Sequence, residues 1–261
     1  MTAVILSGLM LLPLTACGSA SQTGSDAASS VEPEIVLDVA FENNSSEPIG
    51  AGWERAQEII KEKSGGKMAI EVYPDSQLGD KSSIIDSMLL GEPVCTLADG
   101  AFYADYGIKD MGILFGPFLF DDWDQCWTLI ESDWYEDQCK KLEEKGLKII
   151  ASNWMYGERH TLTNVPVNSV DDLKGLNFRM PNNATQLELA EAWGANPATI
   201  SFSETYTALQ QGVVDCVENP IGALKANSID EVCPYINITN HFYAVNGLVM
   251  NAKIFDSLDA D

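Results

Sequence analysis

Arg179 stands between Phe178 and Met180 in the stretch GLNFRMPNN, just before Pro181. Strand alternation puts Leu176, Phe178 and Met180 on one face and Asn177 and Arg179 on the other. Basic residues are scarce here, fifteen Lys and Arg against thirty-nine Asp and Glu. A guanidinium near the carboxyl end of a strand can take a carboxylate through two parallel hydrogen bonds. Open α/β sheets gather ligands outside those strand ends. An internal salt bridge to one of the many acids fits the residue equally well. Arg159, in NWMYGERHTLTN, is a second candidate at a strand edge, although alone it reads as a surface arginine. Asn219, in VVDCVENP, offers donor and acceptor where a strand meets a turn, and alone reads as a turn residue.

Catalytic patterns are missing. The sequence holds no Gly-x-Ser-x-Gly, His-Glu-x-x-His, P-loop or Gly-x-Gly-x-x-Gly. His160 and His241 are the two residues able to act as neutral-pH bases, and neither has a nucleophile beside it in sequence. Asp121-Asp122 and Asp171-Asp172 read as charges at helix N-termini or on solvated faces. No cofactor, metal site or enzymatic activity is expected.

The net charge of −24 argues against nucleic acid and against docking on anionic lipid, both of which require clustered Lys and Arg. It leaves a small anion open, because exposed charges beyond about 8–10 Å are largely screened. A length of 261 residues and an apolar fraction of 46% suit one large or two ordinary domains with a sizeable core.

Residues 3–14, AVILSGLMLLPL, form an apolar run too short for an ordinary membrane span. Leu14-Thr15-Ala16-Cys17 follows and resembles a bacterial lipobox, so residues 1–17 are read as a signal segment with lipidation at Cys17. A plain secretory signal is the other reading. Residues 18–33, rich in Ser, Gly and Ala, read as a flexible tether. The first basic residue is Arg55, so the natural start is expected upstream of Met1. The mature body is then expected outside the cytoplasmic membrane, touching it through the lipid anchor. Five cysteines remain besides Cys17, at 95, 126, 139, 216 and 233, with no Cys-x-x-Cys. They read as small buried apolar residues, with one disulfide possible and none required.

The elements that must position these side chains alternate. EIVLDVAF, KMAIEVYP and PVCTLADG read as strands, and GWERAQEIIKEKSGG and KSSIIDSMLLGE as helices between them. Such β-α-β-α-β order builds a parallel sheet with crossover helices. Residues 121–146 read mostly as helix, LKIIASNW as a strand, and HTLTN as the passage into a second sheet. After LNFRM, Asn182 or Asn183 is expected to cap a helix that stops at Gly194. SFSETYTALQQG reads as a helix with a Ser201–Glu204 capping box. Two α/β lobes follow, with the chain crossing between them near residues 152–158.

The ordered series NWMYGERHTLTN, SVDDLKGLNFRMPNN, GANPATISFSETYTALQQGVVDCVENP and YINITNH resembles the DctP family, the extracytoplasmic substrate-binding proteins of TRAP transporters. KEKSGGKMAIEVYPDSQLGD agrees in the first half, and the resemblance covers residues 35–261. It implies an α/β, two-lobed periplasmic-binding-protein-like fold with a ligand cleft between the lobes. Residues 34–156, with 245–261 returning, would form the first lobe and 157–244 the second.

The resemblance further implies an organic acid as ligand. Arg179 matches the motif arginine that takes the carboxylate, Arg159 matches a second arginine of the sialic-acid-binding branch, and Asn219 matches the asparagine of the ENP turn. Phe202 fits an apolar position in the pocket. Asn44, Asp80 and Asp99 fall near polar positions that contact sugar hydroxyls. The expected ligand is a sugar acid such as a hexuronate or sialic acid, passed to TRAP membrane subunits by a monomeric receptor. The alternatives are a C4-dicarboxylate, a ligand-sensing lipoprotein, or an enzyme acting on acidic sugars. Family members usually run several tens of residues past SLDAD, so helices bracing the two lobes are expected beyond Asp261.

Overall fold

The computed structural model describes residues 32–258. The readings of the signal segment, of Cys17 and of the tether up to residue 31 lie outside the described residues.

The first half follows the alternation: β1 Ile35–Ala40, α1 Pro48–Lys63, β2 Met68–Tyr73, α2 Lys81–Leu90, β3 Val94–Ala98 and α3 Gly100–Asp105. Helix α1 starts earlier than its apolar spacing suggests. Pro48 occupies its first turn, where the missing N–H costs nothing and the fixed φ suits a helix. The stretch 121–146 divides into α4 Trp123–Ile130 and α5 Asp133–Glu144. Asp122 caps α4 by accepting from the Gln125 N–H at 2.9 Å, and Ser132 caps α5 by accepting from the Tyr135 N–H at 3.3 Å.

LKIIASNW and HTLTN belong to one strand, β4 Leu147–Thr163. Next come β5 Asn177–Met180, α6 Ala184–Ala192, β6 Asn196–Thr199, α7 Thr205–Gln210, β7 Cys216–Pro220, α8 Ile221–Ala226, α9 Ile229–Val232, β8 Tyr235–Asn251 and α10 Ala252–Asp256. Asn183 caps α6 by accepting from the Gln186 N–H, and Gly194 follows the helix with φ +78°. Strand β6 was not foreseen because it contains Pro197. It lies at the sheet edge, where a strand tolerates proline. The Ser201–Glu204 capping box does not form. Ser201 Oγ donates to the Glu204 side chain at 3.0 Å, and a 3₁₀ turn over Phe202–Glu204 leads into α7. A capping box forms instead at Ser169 and Asp172.

The strands make one sheet in the order β2-β1-β3-β8-β4-β7-β5-β6. Strands β2, β1 and β3 are parallel, as are β7, β5 and β6. The two sets are joined by β8 and β4, which run antiparallel to each other and to their outer neighbours. Both are 17 residues long, and their pairing shifts register four times, from Ile149 to Thr161. Bulges of this kind bend and twist a ribbon, so one pair of strands can serve both halves.

Helices cover both faces in each half. Leu37, Val39 and Ile70 pack with Trp53 of α1, whereas Ala40 packs with Ile84, Ile85 and Met88 of α2. In the second half, Phe178 and Met180 are fully buried beside Leu173 and Ala190, and the Phe178 ring lies 5.9 Å from that of Trp193. Burying two such side chains is worth about 1.5–3 kcal/mol each. That anchorage fixes which face of β5 carries Arg179. Cys95, Cys126, Cys216 and Cys233 are buried and Cys139 half-buried, all as free thiols.

Candidate functional site

The carboxyl ends of four strands converge. Glu42 and Asn43 follow β1, Asp99 follows β3, Arg179 and Pro181 close β5, and Asn219 lies at the end of β7. Together with Lys81, Phe102, Tyr156, Arg159, Gln186, Phe202 and Asn246 they line one cavity. An adjoining cavity shares Glu42, Lys81, Phe102 and Pro181 with it and reaches Asp80 and Asn182. Direct hydrogen bonds join the two halves nearby. Ser82 Oγ donates to the Asn182 carbonyl at 3.1 Å, and Asn227 Nδ2 donates to Glu47 Oε1 at 2.7 Å.

Arg179 is 2% exposed. Its Nε donates to the Ile200 carbonyl at 2.8 Å, and its guanidinium carbon lies 5.4 Å from the centre of the Phe202 ring. Among the described residues no carboxylate lies within salt-bridge distance of it, and its two terminal nitrogens donate to no protein acceptor. Burial pulls its pKa below the ordinary arginine value, and the charges of Glu42 and Glu218 oppose that shift. A buried guanidinium with both terminal nitrogens free is chemically able to take an anion.

Arg159 is buried rather than on the surface, and it is paired. Its Nε and Nη2 donate to the two carboxylate oxygens of Glu218 at 2.6 Å each. Burial disfavours the charge on Arg159, but Glu218 more than compensates and raises its pKa. Burial would likewise raise Glu218. The Arg159 charge and hydrogen bonds, together with His241, reverse that and hold the acid well below the usual carboxylate range. Gln186 adds a hydrogen bond to Glu218 at 3.0 Å.

Asn219 and Asn246 are buried in the cavity wall, and the side-chain oxygen of each lacks a hydrogen-bond partner. Buried polar atoms are nearly always partnered, so orphans in a cavity wall suit a polar ligand. Asp99 accepts from the Ala101 N–H at 3.0 Å and lies 3.9 Å from Lys81 Nζ. Burial raises its pKa, opposed by the charges of Lys81 and Arg159.

Arg179, Arg159, Asn219, Phe202 and Asp99, five of the residues expected at the site, all line the cavity. Asn44 does not; its side chain accepts from the Ser46 N–H at 2.8 Å, and Asn43 takes the place in the wall. Asn43 Nδ2 donates to the Tyr156 hydroxyl at 2.9 Å. Asp80 caps α2 by accepting from the Ser83 N–H at 2.8 Å and faces the adjoining cavity, while its neighbour Lys81 lines both. Glu42, Tyr156, Gln186, Glu218 and Asn246 went unmarked, since no local pattern distinguishes them from solvated or core residues.

Residues 39–261 match the family described as bacterial extracellular solute-binding protein, family 7, DctP. The chain belongs to this family. It is 29% identical to the C4-dicarboxylate-binding periplasmic protein DctP of Rhodobacter capsulatus over 82% of this chain. It is 30% identical to the sialic acid-binding periplasmic protein SiaP of Vibrio cholerae over 77% of this chain. The chain spans 64% and 62% of the lengths of those two relatives, less than two thirds of each. A TRAP periplasmic solute-binding protein from Ochrobacterium anthropi, solved with bound L-fuconate, superposes with a TM-score of 0.83 at 35% identity, covering 87% of this chain and 75% of that one. The chain has the two-lobed α/β architecture of periplasmic binding proteins. Among the described residues no helix is long and apolar enough to cross a membrane.

Proposed function

We propose that this chain captures an organic acid by its carboxylate and delivers it to the membrane subunits of a TRAP transporter. The observation that carries this reading is the buried, unpaired guanidinium of Arg179 at the convergence of strand ends. Phe202 flanks it, and Asn219 would hold a second oxygen of the ligand. A sugar acid is the preferred ligand, supported by the polar wall of Asn43, Asp99 and Asn246 and by the sugar acids named for two of the similar proteins. Arg159 takes part as a paired charge that fixes the floor of the site. Residues 34–156 with 245–261 would form one lobe and 157–244 the other, closing on the ligand as a monomer tethered by a lipid on Cys17. The ligand would leave unchanged.

A second reading, a C4-dicarboxylate, is favoured by Lys81 only if its long 3.9 Å contact with Asp99 yields to a second ligand carboxylate.

A thermal-shift screen against hexuronates, aldonates, sialic acid, succinate and malate tests the reading. A ligand at about 100 times its Kd adds about 2.7 kcal/mol of stability, which raises Tm by a few degrees. A folded protein indifferent to every acid would refute it.

A further inference from the structure

The cavity wall carries three cationic side chains, Lys81, Arg159 and Arg179. Two are matched by acids of the protein: Arg159 by Glu218 at 2.6 Å and Lys81 by Asp99 at 3.9 Å. Arg179 alone of the three has no acid within salt-bridge distance among the described residues. One acid of the wall, Glu42, is unmatched in the same sense. It is 8% exposed, forms no ion pair with a described residue, and receives one protein hydrogen bond, from the Phe202 N–H at a long 3.5 Å. Glu42 lines both adjoining cavities.

We propose that Glu42 makes this site selective for a polyhydroxylated monocarboxylate and excludes dicarboxylates. The proposal rests on the reading of the cavity as an organic-acid site and names the class of acid. One free cation balances one ligand carboxylate. A second carboxylate would meet no free cation and would lie near Glu42, where like charges in a water-poor site repel. Hydrogen-bond inventory points the same way, independently of charge. A buried carboxylate is costly unless donors reach it. Glu42 presents acceptors in either orientation, and the orphan oxygens of Asn219 and Asn246 add two more. The hydroxyls of a sugar acid supply donors along its length. The succinate dianion has none. The amides of Asn219 and Asn246 can rotate to present donors instead, and Glu42 cannot, so the discrimination falls to Glu42.

Calorimetric titration of a panel of aldonates (gluconate, galactonate, gulonate and fuconate) and of succinate into the full chain tests this. The best aldonate should bind at least about 100-fold more tightly than succinate. Glu42→Gln, which keeps shape and removes charge, should narrow that ratio by about tenfold or more, through weaker aldonate and stronger succinate binding. Succinate binding within about tenfold of the best aldonate in the unaltered chain would overturn the proposal, and this comparison needs no variant. An unchanged ratio in a folded Glu42→Gln protein would overturn it as well. If no acid of either class binds, the organic-acid reading itself fails and the selectivity with it, an outcome distinct from tight binding of succinate.

Discussion

Glu218 holds Arg159 through two hydrogen bonds of 2.6 Å, and this clamp separates the two arginines of the cavity wall. Arg159 spends its charge inside the protein, while the two terminal nitrogens of Arg179 donate to no described residue. The same residue type thus forms an ion pair at one position and stands without one at the other.

Breaking the clamp should damage stability before it damages recognition. Arg159→Met leaves Glu218 buried without its ion-pair partner, which typically costs about 3–5 kcal/mol. Urea denaturation should show a loss of that size, and Arg159→Met combined with Glu218→Leu should recover most of it. A single variant as stable as the parent would contradict the assignment.

Two buried glutamates should respond to pH with opposite sign. Glu218 is held below its ordinary pKa, so its contribution is present at neutral pH and is lost as pH falls through its folded value. Glu47 is raised, by burial first and by Asp75 second, against hydrogen bonds from Asn227, Asn43 and the Asn44 backbone. Its contribution is therefore present below the ordinary glutamate value and is lost as pH rises through the raised one. The stability deficit of Glu47→Gln relative to the parent should shrink between about pH 4 and about pH 7. A deficit that grows over that interval in urea titrations would reverse the sign.

Gly100 follows the cavity residue Asp99 and opens α3. A Cβ there would collide with the Met111 carbonyl oxygen and come within 2.9 Å of the Leu114 side chain. Gly100→Ala should cost about 1–3 kcal/mol by overpacking and weaken ligand binding through displaced Asp99. A fully stable variant with unchanged affinity would show that the loop yields without moving Asp99.

The β-α-β-α-β opening and the face of β5 that carries Arg179 were legible because apolar alternation reports directly on burial. Two expected side chains of the first half are replaced in the wall by a neighbour one position away. Asn44 and Asp80 have short side chains that bond to backbone N–H groups two and three residues on, and the cavity is left to Asn43 and Lys81. Local spacing locates such a turn without saying which of its residues faces inward. The Arg159–Glu218 pair links residues 59 apart, and the length of β8 depends on its pairing with β4, so neither leaves a local trace.

The most direct test of Arg179 as the ligand anchor is calorimetric titration of the best-binding sugar acid into the full chain and into Arg179→Ala. Removing a buried charge partner costs about 2–5 kcal/mol, so affinity should fall about 30-fold at the least while the far-ultraviolet circular dichroism stays unchanged. Binding within about threefold of the parent in a folded Arg179→Ala protein would contradict the role given to this arginine.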